Sequence, residues 1–294
     1  MDGKKRLKYI AAGMSGLFII ILVISIIVTY FLVNPVREKV SAPPDSLNYE
    51  PISFSPAGED LELKGWYLPA EKDSQRTVIA AHGYGGNRSQ NFNVSEALVR
   101  NGFNVIVFDF RNSGESASSF TTIGQKEKYD ILGAVSYIER RFEGRHSIGL
   151  IGYSMGAAAA VLAVDETPAV QAAVLDSSFA DLKTYLEKNL PVWSRLPAVP
   201  FNWFILNIGI HLFGIQPETV SPIEAAANWE GPLFFIHGKK DEQIPLKNVD
   251  QLSSASDGPR DQVWKVPEAG HVEASQVAHA EYVERVLEFL DDNL

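Results

Sequence analysis

Short uncharged runs of strand-forming residues recur along this chain, at 77–81 (TVIAA), 104–108 (NVIVF), 147–151 (SIGLI), 172–175 (AAVL) and 233–236 (LFFI), and segments of helical character separate them. The runs do not alternate apolar with polar residues, so each strand must be covered on both faces, as in a parallel sheet flanked by helices. Helical stretches are expected at about 95–100, 126–142, 155–164, 246–254 and 275–290. Strand alternating with helix predicts an α/β sheet with right-handed crossovers. Ahead of it, residues 47–54 and 61–68 are rich in strand formers and flank Ser55-Pro56-Ala57-Gly58, which predicts an antiparallel hairpin at the start of the sheet. A final strand is expected at 263–266.

Residues 9–33 contain no charge and are dominated by Ile, Leu, Val and Phe. About 20 residues suffice to cross the hydrocarbon, so this run predicts a transmembrane anchor. A cleavable signal peptide is the competing reading, with Val40-Ser41-Ala42 as its processing site, but its apolar region should extend over only ~7–15 residues. Lys4, Lys5, Arg6 and Lys8 precede the run, whereas Arg37, Glu38 and Lys39 behind it nearly cancel. That asymmetry predicts a cytoplasmic N-terminus and an extracytoplasmic domain. The expected organisation is therefore a basic tail and anchor over 1–34, a proline-bearing stalk over 35–46 and one domain over 47–294. Within the domain, residues 180–227 offer no strand and are crowded with aromatic and aliphatic side chains. An apolar insertion between two core strands suits a helical cap over a pocket, and Pro191, Pro197 and Pro200 would divide it into short pieces.

The loops that follow the strands carry the chemistry, since ligands of open α/β sheets gather at the carboxyl ends of strands. These loops read HGYGGN (82–87), DFRNSGES (109–116), GYSMG (152–156), HGKKDEQIP (237–245) and PEAGH (267–271). A serine held between glycines, where a strand stops and a helix starts, presents its hydroxyl outward with the helix amides behind it. With these motifs the chain resembles the α/β-hydrolase family from the hairpin to the last helix, especially the branch of monoacylglycerol lipases, small esterases and proline-type aminopeptidases. The resemblance implies Ser154 as nucleophile, Asp241 as acid and His271 as base, in the family's chain order. It also implies an oxyanion hole formed by the backbone amides of Tyr84 and Met155. Asp176, in LDSS (175–178), also follows a strand and is the rival acid; its other reading is a cap for the next helix. His82 and His237 read as buried structural residues, and His146, His211 and His279 have no motif around them. Asp109 and Arg111 suggest a structural ion pair or turn.

Composition narrows the function further. A net charge of -10, with no basic stripe beyond the N-terminus, disfavours nucleic acid as a partner. With no cysteine the chain can form no disulfide, thiolate nucleophile or cysteine zinc site. No metal-ligand spacing and no phosphate-cradling loop are apparent, so no cofactor is expected. The sequence thus predicts a membrane-anchored serine hydrolase cleaving lipid-like or acylated esters. Two alternatives stand beside it. One is an aminopeptidase-type enzyme, with Glu187, Glu218 or Glu224 near the cap available to hold a substrate ammonium. The other is a non-catalytic binding module on the same fold.

Overall fold

In the computed structural model, which describes residues 3–294, the chain opens with one long helix, α1 (Gly3–Val33). At ~1.5 Å per residue it is long and apolar enough to cross a bilayer. The sheet follows as β1 (Glu50–Phe54), β2 (Leu63–Leu68), β3 (Arg76–Ala81), then α2 (Phe92–Arg100), β4 (Asn104–Phe108), α3 (Glu127–Arg141), β5 (Ser147–Tyr153), α4 (Met155–Val164) and β6 (Val170–Asp176). Its eight strands lie in the order β1-β2-β4-β3-β5-β6-β7-β8, with β7 (Leu233–Gly238) and β8 (Gln262–Val266) closing the far edge. The first two pairings, β1 with β2 and β2 with β4, are antiparallel, and the rest are parallel. The predicted hairpin and every predicted run therefore take their expected places in an α/β-hydrolase architecture.

Both faces of the sheet are covered, as the unalternating strands require. On one face Ile79, Ile106, Leu150 and Leu175 pack with α3 and α4, and on the other Val78, Val105, Ile151 and Val174 pack with α2 and the last helix. That last helix departs from expectation: α10 (Ala274–Val277) ends at Ala278 (φ -129, ψ 48), and α11 (His279–Asn293) begins afresh.

Between β6 and β7 the chain forms no strand. It builds α5 (Leu182–Ser194), α6 (Ala198–Phe204), a π turn (Ile205–Gly209) leading into α7 (Ile210–Leu212), and α8 (Pro222–Asn228), before α9 (Lys247–Ala255) follows β7. The cap segment joins the end of α1 in a third apolar cluster, in which Val33, Leu190, Ile205, Ile210 and Ile215 are buried. The contact is close: a Cβ on Gly209 would overlap Thr29 Oγ1, and Phe18 meets Phe204 edge to face at 5.3 Å between ring centroids.

Segment 34–46 does not stand free of the domain. Arg37 donates to Ser116 O (2.8 Å), Asn112 Oδ1 (3.1 Å) and Ser118 Oγ (3.0 Å), and Asn87 Nδ2 reaches Glu38 O at 3.3 Å.

Candidate active site

β5 ends at Tyr153 and α4 starts at Met155, so Ser154 alone makes the turn, at φ 53 and ψ -116. A non-glycine residue held there costs about 1–3 kcal/mol. Fixed partners maintain it: Ser154 N donates to Asp176 O (2.8 Å), and Ser154 O accepts from Ala157 N (3.0 Å) and Ala158 N (3.1 Å). The flanking glycines follow from the crowding. A Cβ on Gly156 would overlap the backbone oxygens of Ala81 and His82, and one on Gly152 would lie 2.6 Å from Ala157 N. All ten residues of α4 are buried against sheet and helices, which is why the helix is alanine-rich and apolar all round.

Asp241 and His271 lie in the loops after β7 and β8. Lys239 N donates to Val266 O (2.8 Å) and Lys240 N to Ala269 O (2.9 Å), stitching the two loops together. Asp241 Oδ1 accepts from the amides of Gln243 (2.9 Å) and Ile244 (2.7 Å), so Oδ2 is left for His271 Nδ1 at 2.7 Å. A carboxylate only accepts, so Nδ1 carries the proton and Nε2 accepts the hydroxyl proton of Ser154 at 2.8 Å. The structure thus brings Ser154, His271 and Asp241 into one hydrogen-bonded chain, with the Asp241 side chain fully buried and that of His271 partly exposed.

The expected oxyanion loop runs beside the serine. A Cβ on Gly83 would lie 3.5 Å from Ser154 Cβ, so the loop passes close, and Gly85 turns with φ +71. The amide of Tyr84 follows in that loop, and the amide of Met155 opens α4 directly after the serine.

Asp176, the rival acid, stays out of the chain. Its Oδ1 accepts from Ser177 Oγ (2.9 Å), and burial without a cationic partner pushes its pKa up to about 6. It does not cap α5; Asp181 does, accepting from Thr184 N at 2.7 Å. Ser177 Oγ also accepts from Val272 N (3.2 Å), so this corner steadies the histidine loop. His82 accepts from Phe110 N at Nε2 (3.1 Å) and donates to Gly83 O (2.7 Å), tying the expected oxyanion loop to the end of β4; burial lowers its pKa and favours the neutral ring. His237 lies 2.8 Å from Ile244 O, and burial lowers its pKa too. Asp109 and Arg111 do form ion pairs, but with other partners: Arg88 for Asp109, and Asp130 (2.7 Å) and Glu59 (3.1 Å) for Arg111. His146 meets Thr77 Oγ1 (2.7 Å) and stacks on Phe142, far along the sheet from the serine. His279 is exposed on α11, and His211 is exposed on α7.

Ser154 stands where two spaces meet. One is an apolar cavity, part of it open to solvent, walled by residues such as Ile123, Phe179, Leu186, Ile205 and Ile244. The other is a cleft with neutral polar walls, including Gln90, Asn93, Gln243, Ser275 and Gln276. Tyr84 and Trp193 border both, packed edge to face at 5.5 Å. Sequence reasoning missed two wall residues altogether, Leu32 and Val33 at the end of α1. No motif marks them.

Residues 72–221 match the sequence model of the family described as Serine aminopeptidase, S33, which is about half of the chain. The chain belongs to this family of α/β hydrolases. Among solved structures this hydrolase is similar to the Pyrococcus furiosus esterase PF2001, with a TM-score of 0.75, 28% identity and coverage of 89% of this chain and 98% of the esterase. It is 29% identical over 245 residues to the protein YqkD of Bacillus subtilis (strain 168), spanning 81% of this chain and 78% of that one. It is also 28% identical over 203 residues to the lysophosphatidylserine lipase ABHD12 of Xenopus tropicalis, covering 64% of this chain and 48% of that longer protein.

Proposed function

We propose that the protein is a serine ester hydrolase acting on acylated, lipid-like substrates, anchored in the membrane by α1 with its domain on the extracytoplasmic side. The observation that carries this is the Ser154–His271–Asp241 chain standing at the mouth of an apolar cavity, with a polar cleft on the other side. Ser154 Oγ attacks the ester carbonyl while His271 Nε2 takes its proton, and Asp241 stabilises the imidazolium that forms. The amides of Tyr84 and Met155 receive the oxyanion. As the intermediate collapses the carbon–oxygen bond to the alcohol breaks, and His271 returns the proton to that alcohol. Water, deprotonated by His271, then attacks the acyl carbon; the bond to Ser154 Oγ breaks, the acid leaves and His271 returns the proton to Oγ. The acyl chain lies in the apolar cavity and the alcohol leaves through the cleft.

An ester suits the surroundings better than an N-terminal amine. Among the described residues, and apart from the Asp241–His271 pair itself, those around both spaces bring no Asp or Glu to hold an ammonium, and Glu187, Glu218 and Glu224 line neither. The similar esterase and the lipase named above support the same reading. The aminopeptidase reading retains the family's description in its favour. A binding module has no need of the complete hydrogen-bonded chain.

The test is labelling of the full-length protein by a fluorophosphonate, followed by turnover of p-nitrophenyl acyl esters and aminoacyl anilides. Labelling and ester turnover that vanish in Ser154→Ala are expected. Faster turnover of the anilides would favour the peptidase, and folded protein without serine-dependent labelling would favour the binding module.

A further inference from the structure

The end of α1 is built into the hydrolase. A helix leaves its last carbonyls without intrahelical partners, and here the domain supplies them. Tyr84 Oη donates to Leu32 O (2.6 Å), while Thr121 N (2.9 Å) and Asn112 Nδ2 (3.3 Å) donate to Val33 O. Tyr84 is thus a shared part: its backbone belongs to the loop beside Ser154, its ring packs on Trp193 of α5, and its hydroxyl holds the helix. Burial pushes the Tyr84 phenol up to about 12, so it remains a donor. The helix end is consequently held in one register, and Leu32 and Val33 face the cavity that contains Ser154.

The depth of α1 says where the occupant of that cavity comes from. If Lys4–Lys8 mark the inner surface, about 20 residues of span bring the outer edge of the hydrocarbon near Val28. Leu32 then stands roughly 6 Å above that edge, at ~1.5 Å per residue. Phe18, which Phe204 of the cap touches, lies near mid-bilayer. The cap therefore descends beside α1 into the leaflet on the domain side, and Val199, Trp203 and Leu212 on it are exposed apolar residues.

We propose that the last turn of α1 is a wall of the acyl-chain site, so that Leu32 contacts a long acyl group drawn from the adjacent leaflet and helps to set the chain length accepted. The helix is thus a specificity-determining part of the enzyme as well as its anchor. This rests on the reading of the site as an ester hydrolase.

The test uses the full-length chain in detergent micelles. The protein has no cysteine, so Leu32→Cys and Phe31→Cys each introduce a single thiol, and both keep the backbone oxygen that Tyr84 holds. Oleate is the probe of acyl occupancy. It is expected to slow maleimide labelling of Leu32→Cys several-fold and to leave Phe31→Cys, whose native side chain points outward at 65% exposure, unaffected. Equal effects at the two positions overturn the proposal. In a second arm, Leu32→Ala and Leu32→Trp are assayed on short- and long-chain p-nitrophenyl esters. A change of one methylene in an apolar pocket is worth roughly tenfold or more. The long-to-short ratio of kcat/KM should therefore fall by at least that factor in Leu32→Trp, and an unchanged ratio in both variants also overturns the proposal. The thiol arm involves no bond cleavage, so its failure concerns the wall alone, whereas ester turnover that persists in Ser154→Ala would remove the catalytic reading.

Discussion

Replacing Asp241 by asparagine tests the proposed chemistry most sharply, because the structure dictates which way the new amide must lie. Two backbone N–H groups, from Gln243 and Ile244, point at Oδ1. The asparagine must therefore put its oxygen there and turn its NH2 toward His271, where Oδ2 now accepts at 2.7 Å. An NH2 group only donates, so it selects the tautomer with Nδ1 unprotonated and Nε2 protonated. Nε2 then donates to Ser154 Oγ and no longer accepts from it, and the base is lost while the geometry survives. In serine proteases the equivalent change lowers kcat by about 10⁴, which corresponds to roughly 5 kcal/mol at 1.36 kcal/mol per decade. The assay is kcat for a p-nitrophenyl ester by full-length Asp241→Asn protein, with urea unfolding beside it to show that the fold is intact. Asp176→Asn serves as the contrast, since that carboxyl is not bonded to His271. A fall of less than tenfold in Asp241→Asn, or an equal fall in Asp176→Asn, would refute the argument.

Asp176 should reveal itself through pH instead. Its pKa rises from 3.8 to about 6 on burial, a difference of roughly 3 kcal/mol between protonation states. Because the folded state holds the proton more tightly, the stability it contributes is complete below about pH 4 and lost as pH climbs through about 6. Urea unfolding of wild-type protein should weaken over that window relative to Asp176→Asn, and parallel curves for the two would contradict the assignment. Gly156→Ala should destabilise the domain by about 3 kcal/mol through overpacking, because its new methyl meets two backbone oxygens that cannot step aside. A loss under about 1 kcal/mol in the same unfolding experiment would show that the serine turn is looser than described.

Much of this site is written locally in the chain. Gly152 and Gly156 are dictated by backbone contacts within a few residues of the serine or one strand away, so the short motif carries the turn almost complete. The parallel strands are legible for a similar reason, since being covered on both faces leaves its mark on every residue of the run. The acid is different. Asp176 ends β6 and Asp241 lies in the loop after β7, and the distinction lies in where the histidine loop arrives, which depends on bonds between the loops after β7 and β8. The place of the α1 end beside the cavity is less legible still. Apolar residues that face lipid and apolar residues that face a protein cavity read alike, and the bond that fixes Leu32 comes from Tyr84, 52 residues further along. The break at Ala278 leaves no mark in the sequence, because the apolar spacing on either side of it suits one continuous helix.

The capping of Val33 and Leu32 by groups of the domain leaves no swivel between helix and enzyme. Whatever orients the helix orients the serine, so the protein takes up one posture toward its surroundings and keeps it. Proteolytic shedding that carried the helix away would also take the acceptor of the Tyr84 hydroxyl, and so remove one tether of the loop that runs beside Ser154.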